Sequence, residues 1–353
     1  MKQYLAIIAI CASTFAVPAQ QPKVSNTHFT NEAVGGALTA AVERFRHSNE
    51  PLWLGYEVAA LPQSHLSTCS NWSDTSQMDD GCCGEYRLED DHNRGVNNNH
   101  APSPQNIYIL LRFEQGQLIK IRPVMAGCRL DAGGVAFTWL TGVQPEDSVS
   151  FLSQLVMQPS GPNPSRVVEG ALLSISYHAT SAATDALGKI ASFAAPLHTR
   201  EQAAFWLGVQ RGHEGFLALQ ALEKSSTDAS FREKLPFDFS QNSDPAAQDE
   251  LVRMAKFDAD KRVREQAIFW IAQKAGKKAA AAITDAIQND PETDVKKKAV
   301  FALSQLPKDE GVPQLIHVAD TNSNPAVRRE AFFWLGQSHD ERALAYLEQV
   351  LKR

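Results

Sequence analysis

An α-solenoid of about six 32-residue helical pairs, preceded by a small α+β domain, is the fold class that this sequence predicts. Three observations predict it: a motif that recurs every 32 residues, a two-helix hydrophobic pattern inside each recurrence, and a change of composition near residue 160. Arg200-Glu-Gln-Ala-Ala-Phe-Trp-Leu-Gly208 matches Arg264-Glu-Gln-Ala-Ile-Phe-Trp-Ile-Ala272, and Lys296 to Ser304 and Arg328 to Gly336 follow. The alanines Ala203, Ala267, Ala299 and Ala331 imply a hidden copy around residue 235, and Phe231 to Phe239 supplies it. One further step back reaches Ala171 in a weaker sixth copy. Six units fill 161–353.

Each unit reads as two helices. Val263, Ala267, Trp270 and Ile271 fall on one helical face, Gly276 marks a turn, and Ala280, Ile283 and Ile287 keep helical spacing in the second helix. Asn289-Asp290-Pro291, Ser243-Asp244-Pro245 and Ser323-Asn324-Pro325 punctuate the array, since proline is tolerated at a helix start and disfavoured inside one. Leu235 and Pro236 depart from the pattern, so a bend or a shortened first helix is expected in the third unit. A pair this short cannot bury its own apolar face, so neighbours must stack.

The Val-Arg-x-x-Ala-x-x-x-Leu pattern, carried by Val263, Arg264, Ala267 and Ile271 and by Val327, Arg328, Ala331 and Leu335, resembles HEAT-type repeats. The short period is similar to the HEAT-like repeats of phycobilin lyase subunits. The resemblance covers half the chain and implies a fold, not an activity. Trp53-Leu-Gly-Tyr56, Cys82-Cys83, Cys128 to Gly134 and Trp139 to Val143 resemble the leading region of exported bacterial HEAT-repeat proteins.

Two ladders run through the array one period apart. Arg200, Arg232, Arg264, Lys296 and Arg328 read as structural cations that bridge to carboxylates such as Asp228 or Asp260. Phe205, Phe237, Phe269, Phe301 and Phe333, with Trp206, Trp270 and Trp334 beside three of them, read as core packing between helices. Exposure of those rings on one face is what a stacking surface for bases or glycans would need.

Residues 1–19 read as a signal peptide: Lys2, an apolar run from Leu5 to Val17, and Val17-Pro-Ala19 before a cleavage point at Gln20. A periplasmic or secreted mature chain is expected, with no membrane span. Removal of that segment takes Cys11 and leaves Cys69, Cys82, Cys83 and Cys128. An even count in an exported chain favours disulfides. Neighbours in sequence make a strained ring, so Cys82 and Cys83 are expected to reach Cys69 and Cys128, in either order.

The α+β domain spans 20–160. A helix is expected over Glu32 to Arg46, and strands over Pro51 to Ala60, Ile107 to Phe113, Leu118 to Val124 and Val135 to Leu140. Glu114 to Gln117 makes the second and third of these strands a hairpin. A helix over Asp147 to Met157 leads into the repeats, and Cys69 to Ser103 reads as a long polar loop. Its acidic residues Asp79, Asp80, Glu85, Glu89, Asp90 and Asp91 lack the spacing of a calcium loop.

The sequence carries 40 acidic and 34 basic residues, a formal charge of −6. The array itself holds 24 basic and 25 acidic residues over 161–353. That balance argues against nucleic-acid binding. No phosphate loop, dinucleotide fingerprint, zinc-protease helix or nucleophile elbow is present, and no metal site or cofactor is expected. The expected function is a non-catalytic scaffold whose solenoid surface, with a polar and pocket-free groove along the second helices, binds a protein or peptide partner. A lyase-like enzyme is the alternative that the repeat resemblance suggests.

Overall fold

The computed structural model describes residues 21–62, 78–79, 82–83, 85–90, 105–194, 196–274 and 277–352. The expected signal segment and Cys69 lie outside them, as do the side chains of Cys82 and Cys83.

Five strands form the main sheet: β2 (Phe29–Ala33), β3 (Leu52–Ala59), β7 (Asn106–Glu114), β8 (Gln117–Met125) and β10 (Ala136–Thr141), in the order β2-β10-β3-β7-β8. The β10 strand runs parallel to both its neighbours, whereas β7 runs antiparallel to both β3 and β8. A smaller sheet joins β1 (Val24–Ser25), β9 (Arg129–Asp131) and β6 (Glu85–Arg87), and β4 (Met78–Asp79) pairs with β5 (Cys82–Cys83).

The expected hairpin is present as β7–β8. Its turn residues Gln115 and Gly116 have φ of 49° and 72°, the left-handed pair that matches the twist of two strands joined by a tight turn. The helix expected over Glu32 to Arg46 is shorter. Glu32 and Ala33 belong to β2, α1 covers Leu38–Glu43, and Arg44–His47 tightens into a 3₁₀ turn. Gly35 and Gly36 separate strand from helix, and only Leu38, Ala41 and Val42 of α1 are buried.

Fourteen helices lie among the described residues. The α2 helix (Pro145–Met157) packs on the first repeat. Six pairs then follow: α3 (Pro164–Tyr177) and α4 (Ser181–Phe193), α5 (Leu197–Gln210) and α6 (Gly212–Ser225), α7 (Ala229–Gln241) and α8 (Pro245–Phe257), α9 (Lys261–Lys274) and α10 (Lys277–Asn289), α11 (Thr293–Ser304) and α12 (Lys308–Thr321), α13 (Pro325–Gln337) and α14 (Glu341–Leu351). Asp244 and Asn324 cap α8 and α13, each followed by proline at the first helical position.

The first helix of the third unit is not shortened. The α7 helix keeps 13 residues with Pro236 inside it. An internal proline costs about 3 kcal/mol or more, and burial on both sides of it offsets that cost: Phe231, Leu235 and Phe239 are all at most 1% exposed.

The α3 helix sits against β8 so closely that a Cβ at Gly170 would lie 2.3 Å from the Ile121 carbonyl oxygen. One apolar cluster runs without a break from Leu38 in α1 to Ala343 in α14. From α5 onward, neighbouring first helices pack on one another more extensively than neighbouring second helices do.

Candidate functional site

Within a first helix, Ala203 and Leu207 are fully buried, as are Ala267 with Ile271 and Ala331 with Leu335. They are four residues apart and form the core stripe. The ladder phenylalanine stands two residues beyond the alanine, about 200° around the helix at 3.6 residues per turn. The structure therefore overturns core packing for this ladder. Phe205, Phe237, Phe269 and Phe301 are only half-buried, and Phe333 is 54% exposed.

These rings form an unbroken chain. Trp206 meets Phe205 edge-on at 5.0 Å, and Phe205 lies parallel to Phe237 at 5.9 Å. Phe237 touches Trp270 at 4.7 Å, and Trp270 meets Phe269 at 5.0 Å. Phe269 lies parallel to Phe301 at 6.3 Å, Phe301 touches Trp334 at 4.8 Å, and Trp334 meets Phe333 at 5.0 Å. Eight rings thus link five first helices, α5 to α13. Lys298 stands over two of them, its Nζ 5.6 Å from the centre of Phe269 and 5.3 Å from that of Phe301. Such placement draws on the negative face of an aromatic ring.

The tryptophan position itself reads Trp206, Asp238, Trp270, Ala302, Trp334 at 32-residue spacing. Asp238 is 2% exposed, and its Oδ2 has no hydrogen-bond partner. Burial first, and then the nearby Glu201 charge, hold its carboxyl well above the usual carboxylate range. A raised folded pKa makes the carboxyl's contribution best at low pH and progressively worse once pH exceeds the ordinary value of about 3.9. Asp238→Asn is therefore expected to be about 1–3 kcal/mol more stable than the parent at pH 7. The advantage shrinks toward pH 4. Urea unfolding at both pH values measures it, and equal stabilities at pH 7 would sink it.

The basic ladder turns inward to repeat boundaries. Arg200 pairs with Asp228 at 2.9 Å and Arg232 with Asp258 at 2.7 Å. Arg264 grips Asp290 through Nε at 2.7 Å and Nη2 at 3.1 Å, and donates to the Asp258 carbonyl at 2.9 Å. Lys296 donates to the Gln288 carbonyl at 3.0 Å, and Arg328 to that of Asn322 at 2.7 Å. Asp260, named as a partner from sequence, pairs instead with Arg262 at 3.1 Å. The boundary acceptors form a ladder that sequence reading missed: Ser226, Asp258, Asp290 and Asn322, 32 residues apart. Their side chains accept from the backbone N–H two residues on, at 3.4, 2.9, 2.8 and 2.9 Å, the turn-forming habit of such residues.

A serine and a histidine meet where the sheet joins the array. The His178 Nδ1 lies 2.8 Å from the Ser174 carbonyl, which only accepts, so Nδ1 carries the proton. Nε2 then accepts from Ser148 at 2.9 Å, and Ser148 Oγ accepts from Tyr56 at 2.8 Å. The pair has the geometry of a nucleophile and its base, yet Ser148, His178 and Tyr56 are each 0% exposed. No substrate atom reaches them. Burial pushes the His178 pKa down to about 4. Arg211, 4% exposed, completes the knot by donating to the His178 and Thr180 carbonyls at 2.6 and 3.0 Å and to Thr184 at 2.9 Å.

Cys128 is buried and disulfide-bonded. Among the described members of the acidic loop, Glu89 holds Arg112 at 2.9 Å and accepts from the Trp53 indole at 2.7 Å, and Glu85 accepts from Ser25 at 2.6 Å. Among the described residues, no group of three or more His, Cys, Asp or Glu side chains is placed to hold a metal ion. The second-helix side is not pocket-free: a cleft of about 600 Å³ opens between α4 and α6, lined in part by Lys189, Phe193, Glu214 and Leu217.

Six stacked helical pairs with a continuous core define an α-solenoid. The HEAT repeats family matches residues 280–353, which cover α10 beyond its first turn to the end of α14. Human deoxyhypusine hydroxylase in complex with glycerol is similar over 58% of this chain and 90% of its own, at 15% identity and a TM-score of 0.29. Yeast importin-β is similar over 55% of this chain and 27% of its own, at 13% identity and a TM-score of 0.28. No curated protein sequence matches the chain.

Proposed function

We propose that this chain is an exported, non-catalytic scaffold that binds a protein or peptide partner along its first-helix layer, in the periplasm or outside the cell. The eight-ring ladder carries this reading. An aromatic strip that keeps part of its rings at the surface over five repeats is what an interaction surface requires and what a solvated face avoids. The apolar segment before Gln20 and the disulfide at Cys128 support export.

Affinity capture from a cell-envelope extract tests the binding, with the parent chain compared against Phe237→Ala/Phe269→Ala. The expected result is a protein retained by the parent and lost from the variant. Retention of nothing by either chain, with both arrays folded by circular dichroism, would overturn the reading. Fractionation of cells expressing the full chain tests export, and recovery in the cytoplasm alone would overturn that part.

A further inference from the structure

The second-helix layer opens between α10 and α12, on the side of the array away from the aromatic ladder. These two helices pack on one another less than α4 on α6 or α8 on α10. The gap is a cleft of about 450 Å³, a size usual for small-molecule sites. Ile287, Leu303 and Val318 give it an apolar floor, each at most 7% exposed. The Pro313 ring stands exposed on the α12 wall.

The polar side chains of the lining keep free hydrogen-bonding groups. Thr284 shares its proton between the Ala280 carbonyl at 2.8 Å and Gln314 Oε1 at 3.1 Å, which ties α10 to α12. Gln314 keeps both amide protons. Asn322 accepts from the Asn324 N–H at 2.9 Å through Oδ1, and its own amide protons are free as well. The side chains of Gln288 and Ser323 have no hydrogen-bond partner among the described residues. His317 reaches Thr321 only at 3.5 Å, near the limit of a hydrogen bond.

About a quarter of the residues in 161–353 are charged. Among the described residues, no carboxylate, ammonium or guanidinium lines this cleft. The α4–α6 cleft, by contrast, carries Asp185, Lys189 and Glu214, and the one beside α6 and α8 carries Glu223, Lys224, Arg232, Glu250 and Arg253. Two cations approach the rim of the α10–α12 cleft, and backbone carbonyls engage both. Lys296 takes that of Gln288 at 3.0 Å, and Arg328 those of Asn322 and Ser323 at 2.7 and 3.3 Å.

We propose that the α10–α12 cleft binds a neutral saccharide of one or two rings. A charged ligand loses water there and meets no counter-charge. An apolar ligand displaces water from Gln288, Gln314, Asn322 and Ser323 and returns no hydrogen bond. A flat aromatic ligand finds no Phe, Tyr or Trp to stack on. A hydroxyl both donates and accepts, so a ring of hydroxyls replaces the displaced water while its C–H edge lies on Pro313 and Val318. At about 30 Å³ per water, the cleft has the space of about fifteen waters, room for one or two sugar rings. The site shares no residue with the ladder and stands or falls apart from the scaffold reading.

Calorimetric titration of the full chain compares two groups of probes. Glucose, galactose, N-acetylglucosamine and maltose are the neutral sugars. Glucuronate, glucosamine, cyclohexanol and the capped peptide acetyl-Gly-Ser-Gly-amide are the controls. The expected result is saturable binding of at least one neutral sugar, with Kd of about 1 mM or tighter and at least ten-fold tighter than any control. Gln288→Ala/Ser323→Ala is expected to weaken it ten-fold or more with an unchanged melting temperature, because both side chains are exposed and hold nothing else. Phe237→Ala/Phe269→Ala, on the other layer, is expected to leave it unchanged. No saturation by any of the four sugars at about 20 mM, equal binding of a control, full binding by the cleft variant, or loss in the ladder variant would overturn the inference.

Discussion

Arg211→Met is expected to cost about 2–4 kcal/mol of stability, since two buried carbonyls lose their donor at about 1–3 kcal/mol each while the cost of burying the guanidinium is relieved. The guanidinium is 4% exposed and donates to the carbonyls of His178 and Thr180 and to the Thr184 hydroxyl. Those two carbonyls belong to the turn between α3 and α4, where helix geometry leaves acceptors without intrahelical partners. Methionine fills much of the volume and supplies no donor, so both carbonyls stay buried and unmet. Thr184 keeps Glu214 at 2.7 Å, which spares it. Arg211→Lys is expected to recover less than half of the loss, because one ammonium cannot reproduce the planar fork that reaches four acceptors, the Ser176 carbonyl at 3.4 Å among them. Urea unfolding followed by circular dichroism measures both variants. A loss below about 1 kcal/mol for the methionine variant would show that the junction does not depend on this arginine.

The second large effect is a pH dependence centred on His178. Its folded pKa is pushed down to about 4 by burial, with the neighbouring Arg211 charge acting in the same direction. The unfolded value is about 6.5. A depressed folded pKa means that the contribution is whole above pH 6.5 and drains away as pH falls through about 4, because the unfolded chain takes the proton first. The shift corresponds to about 3 kcal/mol. The proton has nowhere to go in the folded protein: Nδ1 already donates to Ser174, and a proton on Nε2 displaces the one that Ser148 donates. Unfolding free energies at pH 7 and pH 4 are expected to differ by that amount more in the parent than in His178→Gln. The comparison cancels carboxylates common to both chains. Equal pH slopes in the two proteins would refute it.

The repeat architecture was legible because a solenoid writes its contacts locally. The 32-residue register, the Ala-x-x-x-Leu stripe and the Asx-Pro punctuation each reflect a contact within a repeat or with its neighbour. The aromatic ladder was found for the same reason and assigned to the wrong face. The angle between Ala203 and Phe205 on a helix already separates them, and residue type outweighed it. The boundary ladder from Ser226 to Asn322 was equally periodic and went unread, since its members change identity from rung to rung.

The junction had no comparable signal. Tyr56, Ser148, His178 and Arg211 come from a strand, a cap helix, an interhelical turn and the α5–α6 turn, with no fixed spacing between them. Only the folded chain brings them together. Pro236 misled for a related reason: a local penalty is visible in sequence, and the burial of Leu235 and Phe239 that offsets it is not.

Each repeat from the second onward adds one phenylalanine to the ladder, so the reach of the strip grows in whole units. A duplicated 32-residue block between α8 and α9 would lengthen the face by one rung, with neither the sheet junction nor the final pair disturbed. Loss of a block would shorten it likewise. A chain that gains or drops a repeat would change the length of the aromatic strip by that fixed step.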